Sequence, residues 1–248
     1  MELHDDSSLW GSEEILAGVR VLLPRAEGRL ADALRGAGAE VVAEPLLRRV
    51  SLDARLDLNA DWVVVTSPAT VEELERRGQW IPAGAKIAAV GRASAEALAQ
   101  VGYSVDLVPG ERSSAADLVE AFPNGRGRVA IPGSALSSPV LADGLRAKGY
   151  QVTTIPIYTM EATDRVPETV GADWAAGLFD VVAVTSGSIG RAVGELLGWR
   201  DDVRVVAFGA PSASELARLG VSVAQVAQTQ DGKGLIAAVA AAVRGEQR

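Results

Sequence analysis

The chain repeats itself. Aligning residues 87–105 with 205–223 at a constant offset of 118 brings nine of nineteen positions into identity: Ala89, Gly91, Ser94, Ala95, Leu98, Ala99, Gly102, Ser104 and Val105 all meet their own kind. A second block, Asp-Trp-Val-Val-Val-Thr-Ser (61–67), matches Asp-Val-Val-Ala-Val-Thr-Ser (180–186) at an offset one residue longer, as a single insertion would give. A looser third pairing sets 19–35 beside 129–146, each an apolar run ending in proline, then a loop and a helical stretch with Leu-Arg before glycine. Segments that share this much sequence share a fold, so the chain is read as two similar units. Its 248 residues, 48% of them hydrophobic, are enough for two cores.

What each unit looks like follows from the pattern inside the repeats. Short runs rich in Val, Ile and Ala recur at 19–23, 40–42, 62–65, 86–90, 105–108, 128–131, 152–155, 181–184, 203–208 and 221–226. Nearly all are continuously apolar, which is how strands buried on both faces read. Between them lie Ala- and Leu-rich stretches of helical spacing at 26–36, 69–77, 93–101, 115–121, 140–148, 188–197, 212–219 and 235–243. Glycines close several of these, where a left-handed helix cap favours a residue without Cβ. Alternating strand and helix gives an α/β protein with two open parallel sheets, each covered on both faces, and a working site expected in the cleft between them.

Composition narrows the chemistry. A formal charge of −8 disfavours nucleic acid and anionic membrane as partners. With no cysteine there is no disulfide, thiolate nucleophile or Cys-based metal site, and the one histidine, His4, leaves no base for a Ser-His-Asp triad. His4 sits in a polar leader (1–14), expected to be disordered through Ser12, that lacks the features of a secretory signal. No run is apolar enough to span a bilayer, so a cytoplasmic protein is expected; nothing in the sequence demands assembly, and a monomer is the simplest expectation. No P-loop or Gly-x-Gly-x-x-Gly opens a helix.

Three kinds of loop follow strand ends: Leu-Pro-Arg at 23–25, Thr-Ser at 66–67 and 185–186, and Gly-x-x-Ser at 91–94 and 209–212. In an open parallel sheet these ends face the ligand crevice, where glycine admits a ligand to the backbone and spare helix-start amides receive an anion. The hydroxyls are also expected to cap their helices, a role that needs no ligand. Their recurrence in both halves is what favours two anion-binding rims. The carboxylate pairs Glu72 with Glu73 and Asp201 with Asp202 read as solvated helix ends and loops. Tyr158, in Ile-Pro-Ile-Tyr-Thr-Met (155–160), has a phenol able to pass a proton to a leaving oxygen, although a tyrosine packed on a domain edge would look the same.

Taken in order, Val-Leu-Leu-Pro-Arg (21–25), Asp-Trp-Val-Val-Val-Thr-Ser (61–67), Ala-Val-Gly-Arg-Ala-Ser-Ala-x-Ala-Leu (89–98), Ile-Tyr-Thr (157–159), Asp-Val-Val-Ala-Val-Thr-Ser-Gly-Ser (180–188) and Phe-Gly-Ala-Pro-Ser-Ala-x-x-Leu (208–216) resemble the uroporphyrinogen-III synthase family. The resemblance covers about 18–243. It implies two flavodoxin-like domains, one discontinuous (1–46 with 160–248) and one inserted (50–155), joined by a two-stranded antiparallel hinge near 45–50 and 154–160. It further implies cyclisation of the linear tetrapyrrole hydroxymethylbilane, with loss of water and inversion of the fourth ring, and without a cofactor. The upstream synthase is the candidate partner that hands the substrate over. Carried over residue by residue, Tyr158 is the candidate proton donor to the leaving hydroxyl. Arg25, Thr66, Ser67, Gly91, Ser94, Thr185, Ser186, Ser188, Gly209 and Ser212 are the candidate contacts to substrate carboxylates. The loop Ile-Pro-Gly-Ser (131–134) departs from the family, in which an arginine often precedes the glycine, and Pro68 stands where an asparagine is common.

The competing reading is a binding or regulatory module that closes on an anionic small molecule without reacting. The lack of an export signal counts against a periplasmic one, and no basic recognition helix suggests a fused transcription regulator.

Overall fold

A computed structural model describes residues 14–110 and 114–245; His4 and the leader up to residue 13 lie outside them. The first half of the chain runs β1 (Arg20–Leu23), α1 (Arg29–Gly36), β2 (Glu40–Ala43), β3 (Leu47–Ser51), β4 (Trp62–Val65), α2 (Pro68–Arg76), β5 (Lys86–Ala89), α3 (Arg92–Gln100) and α4 (Ala115–Ala121). The second continues with β6 (Arg128–Ser134), α5 (Val140–Ala147), β7 (Gln151–Ala162), α6 (Glu168–Ala175), β8 (Val181–Val184), α7 (Gly187–Leu196), β9 (Arg204–Ala207), α8 (Ala210–Arg218), β10 (Gln225–Val226) and α9 (Gly232–Arg244). The chain divides into two compact units: unit 1 takes the described residues of Met1–Arg48 and Glu161–Arg248, and unit 2 those of Arg49–Met160.

Unit 1 holds a five-stranded sheet in the order β10-β9-β8-β1-β2, parallel throughout. Its middle strands are apolar at every position after the leading Arg20 of β1 and Arg204 of β9, and throughout β8, because the pleat sends successive side chains to opposite faces and both faces are covered. Val21, Leu23, Val181, Ala183 and Val206 pack under α1 and α9 with Leu34, Leu235 and Val239. Leu22, Val182, Val184, Val205 and Ala207 pack on the other face with Trp174, Ile189, Val193 and Leu216 of α6, α7 and α8. Each fully buried Leu or Val contributes about 1.5–3 kcal/mol, which holds short strands together despite their few hydrogen bonds.

Unit 2 holds the order β3-β7-β6-β4-β5. Val63, Val65, Ile87 and Ala89 meet Val71, Leu74 and Leu98 of α2 and α3 on one face. On the other, Trp62, Val64, Ala88, Val129 and Ile131 meet Leu118, Phe122, Leu141 and Leu145 of α4 and α5. The edge strand β3 runs antiparallel to β7. The amide of Leu52 donates to Ile157 O and that of Thr163 to Leu46 O, each at 3.0 Å, so residue numbers fall by six on one strand as they rise by six on the other. Both strands carry the chain from one unit to the other.

The repeated blocks fall on β4, β5 and α3 in unit 2 and on β8, β9 and α8 in unit 1. Superposing those elements makes β6 the counterpart of β1 and β7 the counterpart of β2, so the two sheets share one order from different starting points. The repeated aspartate does the same work in both. Asp61 Oδ2 accepts from the amide of Arg128 at 2.7 Å and Asp180 Oδ2 from that of Arg20 at 2.8 Å, and each aspartate's own amide donates back to that residue's carbonyl. These pairs seat the first residues of β4 against β6 and of β8 against β1. Gly127 makes room for one of them: its φ is +133°, and a Cβ there would lie 2.5 Å from Asp61 Oδ2.

Three expectations are corrected. Residues 105–108 form only a single parallel bridge, Ala88 with Leu107, because the Asp106 carboxylate takes the Ile87 amide and Pro109 ends the pairing. The 221–226 run shortens to the two residues of β10. Helix α6 was not anticipated, since only Val170 and Trp174 give it a buried stripe and Gly171 interrupts it. Among the described residues no helix is long and apolar enough to cross a membrane.

Candidate functional site

In each sheet the strand order reverses at one place, and there the connections leave on opposite faces and open a crevice at the strand C-termini. In unit 2 this place lies between β4, which leads into α2, and β6, which leads into α5. A cavity of about 440 Å³ occupies it, with Thr66 at the end of β4, Gly133 and Ser134 at the end of β6, the 135–139 loop and the start of α5 on its walls. Val90, just before Gly91, lines it as well. In unit 1 the equivalent reversal lies between β1 and β8, so the loops carrying Arg25 and Thr185–Ser186–Ser188 flank it.

The hydroxyls divide into two groups. Ser67 and Ser186 are N-caps: Ser67 Oγ accepts from the Ala69 amide at 3.2 Å and Ser186 Oγ from the Ile189 amide at 3.3 Å. Ser186 and Ser188 also share a hydrogen bond of 3.0 Å. The expected capping by Ser94 and Ser212 is corrected. The caps of α3 and α8 are Gly91 and Gly209, neither with a side-chain bond, and Ser94 and Ser212 are buried third residues of their helices, 4% and 5% exposed. First-turn amides at both helices are therefore not taken by a capping side chain, the condition under which a helix start receives an anion.

Arg25 lines a second cavity, of about 700 Å³, between the β1–α1 loop and the start of α9, together with Arg29 and Lys233. Helix α1 begins at Gly28, whose φ of +149° suits only glycine and which provides no side-chain cap. Asp231 caps α9 through a 2.8 Å bond from the Gly234 amide, which holds its carboxyl below the ordinary aspartate range.

Tyr158 lies on β7 where the β6–β7 register slips. Gly133 pairs with Pro156 but Ser134 with Tyr158, so Ile157 is an extra residue. The bulge lets consecutive residues Ile157 and Tyr158 both turn inward, and the Tyr158 ring is 5% exposed in the core under α2 and α3. The Arg49 guanidinium stands over that ring, 5.7 Å from its centre, and also bonds Glu72 at 2.6 Å. The Tyr158 carbonyl accepts from the Ala135 amide at 2.8 Å, tying it to the loop that walls the unit 2 cavity. Tyr158 itself is not part of that wall.

Glu73 is the clearest departure from expectation, since it is buried rather than solvated, with 1% exposure. Its carboxylate accepts from Arg76 and Arg77, each at 2.7 Å, and from Ser51 at 3.1 Å. Arg77 then donates to the carbonyls of Leu52 and Ile157, the latter at 2.6 Å. Hydrogen bonds from Arg76, opposed by burial and aided by Arg77 and Ser51, bring the Glu73 carboxyl down to about 2. This cluster fixes α2 to the β3–β7 edge beside the bulge that aims Tyr158. The Glu-x-x-Arg-Arg spacing at 73–77 was its one visible sign. Asp202, by contrast, is exposed and pairs with Arg200 at 2.6 Å. Among the described residues no three acidic or histidine side chains converge as a metal site.

A family model described as uroporphyrinogen-III synthase HemD matches residues 28–237. The chain belongs to the uroporphyrinogen-III synthase family. A uroporphyrinogen-III synthase of Synechococcus elongatus is 29% identical over 181 residues, a match that takes in 63% of this chain and 66%, just under two thirds, of that protein. Among solved structures, a mutant uroporphyrinogen III synthase from the extreme thermophile Thermus thermophilus aligns with TM-score 0.54 and 19% identity over 92% of this chain and all of that one. Uroporphyrinogen-III synthetase from Helicobacter pylori aligns with TM-score 0.62 and 13% identity over 88% of this chain and 97% of its own. At these identities the structural likeness speaks for the fold that the family shares.

Proposed function

We propose that this protein converts hydroxymethylbilane to uroporphyrinogen III, a cyclising loss of water with inversion of the fourth pyrrole. The observation that carries the reading is the family match over 28–237, joined to crevices at the order reversal of both sheets whose borders are rich in hydroxyls and helix starts. A substrate with eight carboxylates and no need of a strong nucleophile suits such borders. Hydroxide leaves the first ring as the pyrrole nitrogen supplies electrons, giving an azafulvenium cation. The substituted carbon of the fourth ring then attacks through a spiro intermediate. The protein's main contribution is holding a flexible chain in the geometry for that attack, where orientation is worth up to about 7–11 kcal/mol. Tyr158 is the candidate donor of a proton to the departing hydroxyl, its ring kept in place by the bulge and by Arg49. Arg25 and the loops at Thr66, Ser67, Gly91, Ser94, Thr185, Ser186, Ser188, Gly209 and Ser212 are the candidate carboxylate contacts.

The test is a coupled assay. Hydroxymethylbilane is generated in place by its own synthase, this protein is added, and the oxidised uroporphyrin isomers are separated by chromatography. Isomer III in excess over isomer I is the expected result. Isomer I alone, beside an active control, would mean a module that binds without catalysing.

A further inference from the structure

Gly133 differs from the other close-packed glycines in what surrounds it. The three nearest atoms to a Cβ built there are all hydroxyl oxygens: Thr66 Oγ1 at 3.5 Å, Ser137 Oγ at 3.8 Å and Thr70 Oγ1 at 3.8 Å. Thr70 is fully buried and its hydroxyl has no hydrogen-bond partner. A buried hydroxyl left without a partner carries its full desolvation penalty, and such a group calls for an explanation. Two of the three hydroxyls belong to residues that line the 440 Å³ cavity at the β4–β6 order reversal, as does Gly133 itself. The same cavity receives the start of α5, whose N-cap Pro139 offers no side-chain bond, although Ser138 Oγ accepts from the Val140 amide at 3.4 Å. Its lining also has an apolar part, Val90, Ile131, Leu141 and Ile155, beside the polar Thr154 and Arg146.

We propose that this crevice takes one pyrrole of the substrate, with a carboxylate of that ring resting on the Gly133 face among the hydroxyls of Thr66, Thr70 and Ser137. The proposal deepens the synthase reading and rests on it for the identity of the ligand. An oxygen lying beyond the position a Cβ would take approaches all three hydroxyls, each of which turns to donate to it. The N-terminal end of the α5 dipole favours an anion there, and Val90, Ile131 and Ile155 suit the ring. Arg146, also at the cavity, donates to Asp143 at 2.8 Å and to the Val152 carbonyl at 3.2 Å, so the hydroxyls do the seating. Thr70 is thereby assigned as a binding residue.

Two substitutions separate this from a structural role. Thr70→Val removes the unpartnered hydroxyl and keeps the shape, so the melting temperature should hold or rise, while KM for hydroxymethylbilane and the dissociation constant of uroporphyrin III, read by its fluorescence, should each rise about tenfold. Gly133→Ala meets its neighbours only at ordinary contact distance, so it should fold normally and weaken the same two constants by blocking the face. If wild-type protein forms isomer III but Thr70→Val and Gly133→Ala keep wild-type KM and uroporphyrin affinity, the subsite falls and the synthase reading stands. A lowered melting temperature for Thr70→Val with unchanged KM would likewise make its hydroxyl structural and overturn the assignment. If no isomer III forms, yet uroporphyrin binds and both variants weaken it, the subsite stands and the synthase reading falls. No isomer III and no uroporphyrin binding would remove both.

Discussion

Replacing Glu73 with glutamine tests the buried cluster at the β3–β7 edge. The carboxyl titrates at about 2 in the folded protein against an ordinary 4.5, a gap of about 2.5 pH units. At 1.36 kcal/mol per pH unit that is about 3 kcal/mol of folding stability. Because the folded value is depressed, this stability is fully present above pH 4.5 and is lost as the pH falls from there through 2. Glu73→Gln keeps the volume but leaves Arg77, bonded to the Leu52 and Ile157 carbonyls, without its anion, so at neutral pH unit 2 should lose about 3 kcal/mol. The assay is hydrogen–deuterium exchange of peptides from β4 to β7 in urea, which reports unit 2 alone, at intervals between pH 2.5 and 7. Wild type and variant should differ by about 3 kcal/mol at pH 7 and converge in acid. A gap that is constant with pH, or one under about 1 kcal/mol at pH 7, would show that the carboxylate is not held as argued.

Tyr158→Phe should lower turnover at least about tenfold in the isomer assay without changing the melting temperature by more than a few degrees; full activity would remove its role as donor. Asp61→Ala and Asp180→Ala should each cost about 1 kcal/mol in urea unfolding, because the two carboxylates make the same bond to the first residue of a neighbouring strand. A large cost for one with none for the other would contradict the shared role. Substituting Ser94 and Ser212 together by Ala should weaken uroporphyrin binding only about two- to fivefold, since the helix-start amides persist; titration by fluorescence would detect a larger loss.

Continuous apolar runs made the sheets legible, because a strand covered on both faces leaves no polar position to blur it, as at 181–184. The repeat carried further, into the topology: even its weak third block, 19–35 with 129–146, falls on the counterparts β1–α1 and β6–α5. What stayed hidden depends on partners distant in sequence. Glu73 looks solvated beside Glu72 until β3 and β7 are laid over it. Ser94 and Ser212 read as caps because hydroxyl near a helix start is the usual sign, yet Gly91 and Gly209 stand one turn earlier and push the serines inward. The hydroxyls of Thr70 and Ser137 lie on different elements, 67 residues apart, and only the end of β6 brings them to one glycine.

The insertion of one unit into the other has a consequence for synthesis of the chain. Val21 of β1 pairs with Val181 of β8, 160 residues later, so at about 5–20 residues per second roughly 8–32 s separate their emergence from a ribosome. During that interval β1 and β2 are two apolar strands awaiting a third. Unit 2, by contrast, is contiguous and complete once Met160 has been made. Its closure, through the Leu52–Ile157 pairing, draws together the two points where the chain enters and leaves it. An excursion of more than a hundred residues then acts as a short tether, and the entropy of joining β1 to β8 falls with the effective loop length. The inserted unit thus serves as a clip for the discontinuous one, and slowing its folding would delay both.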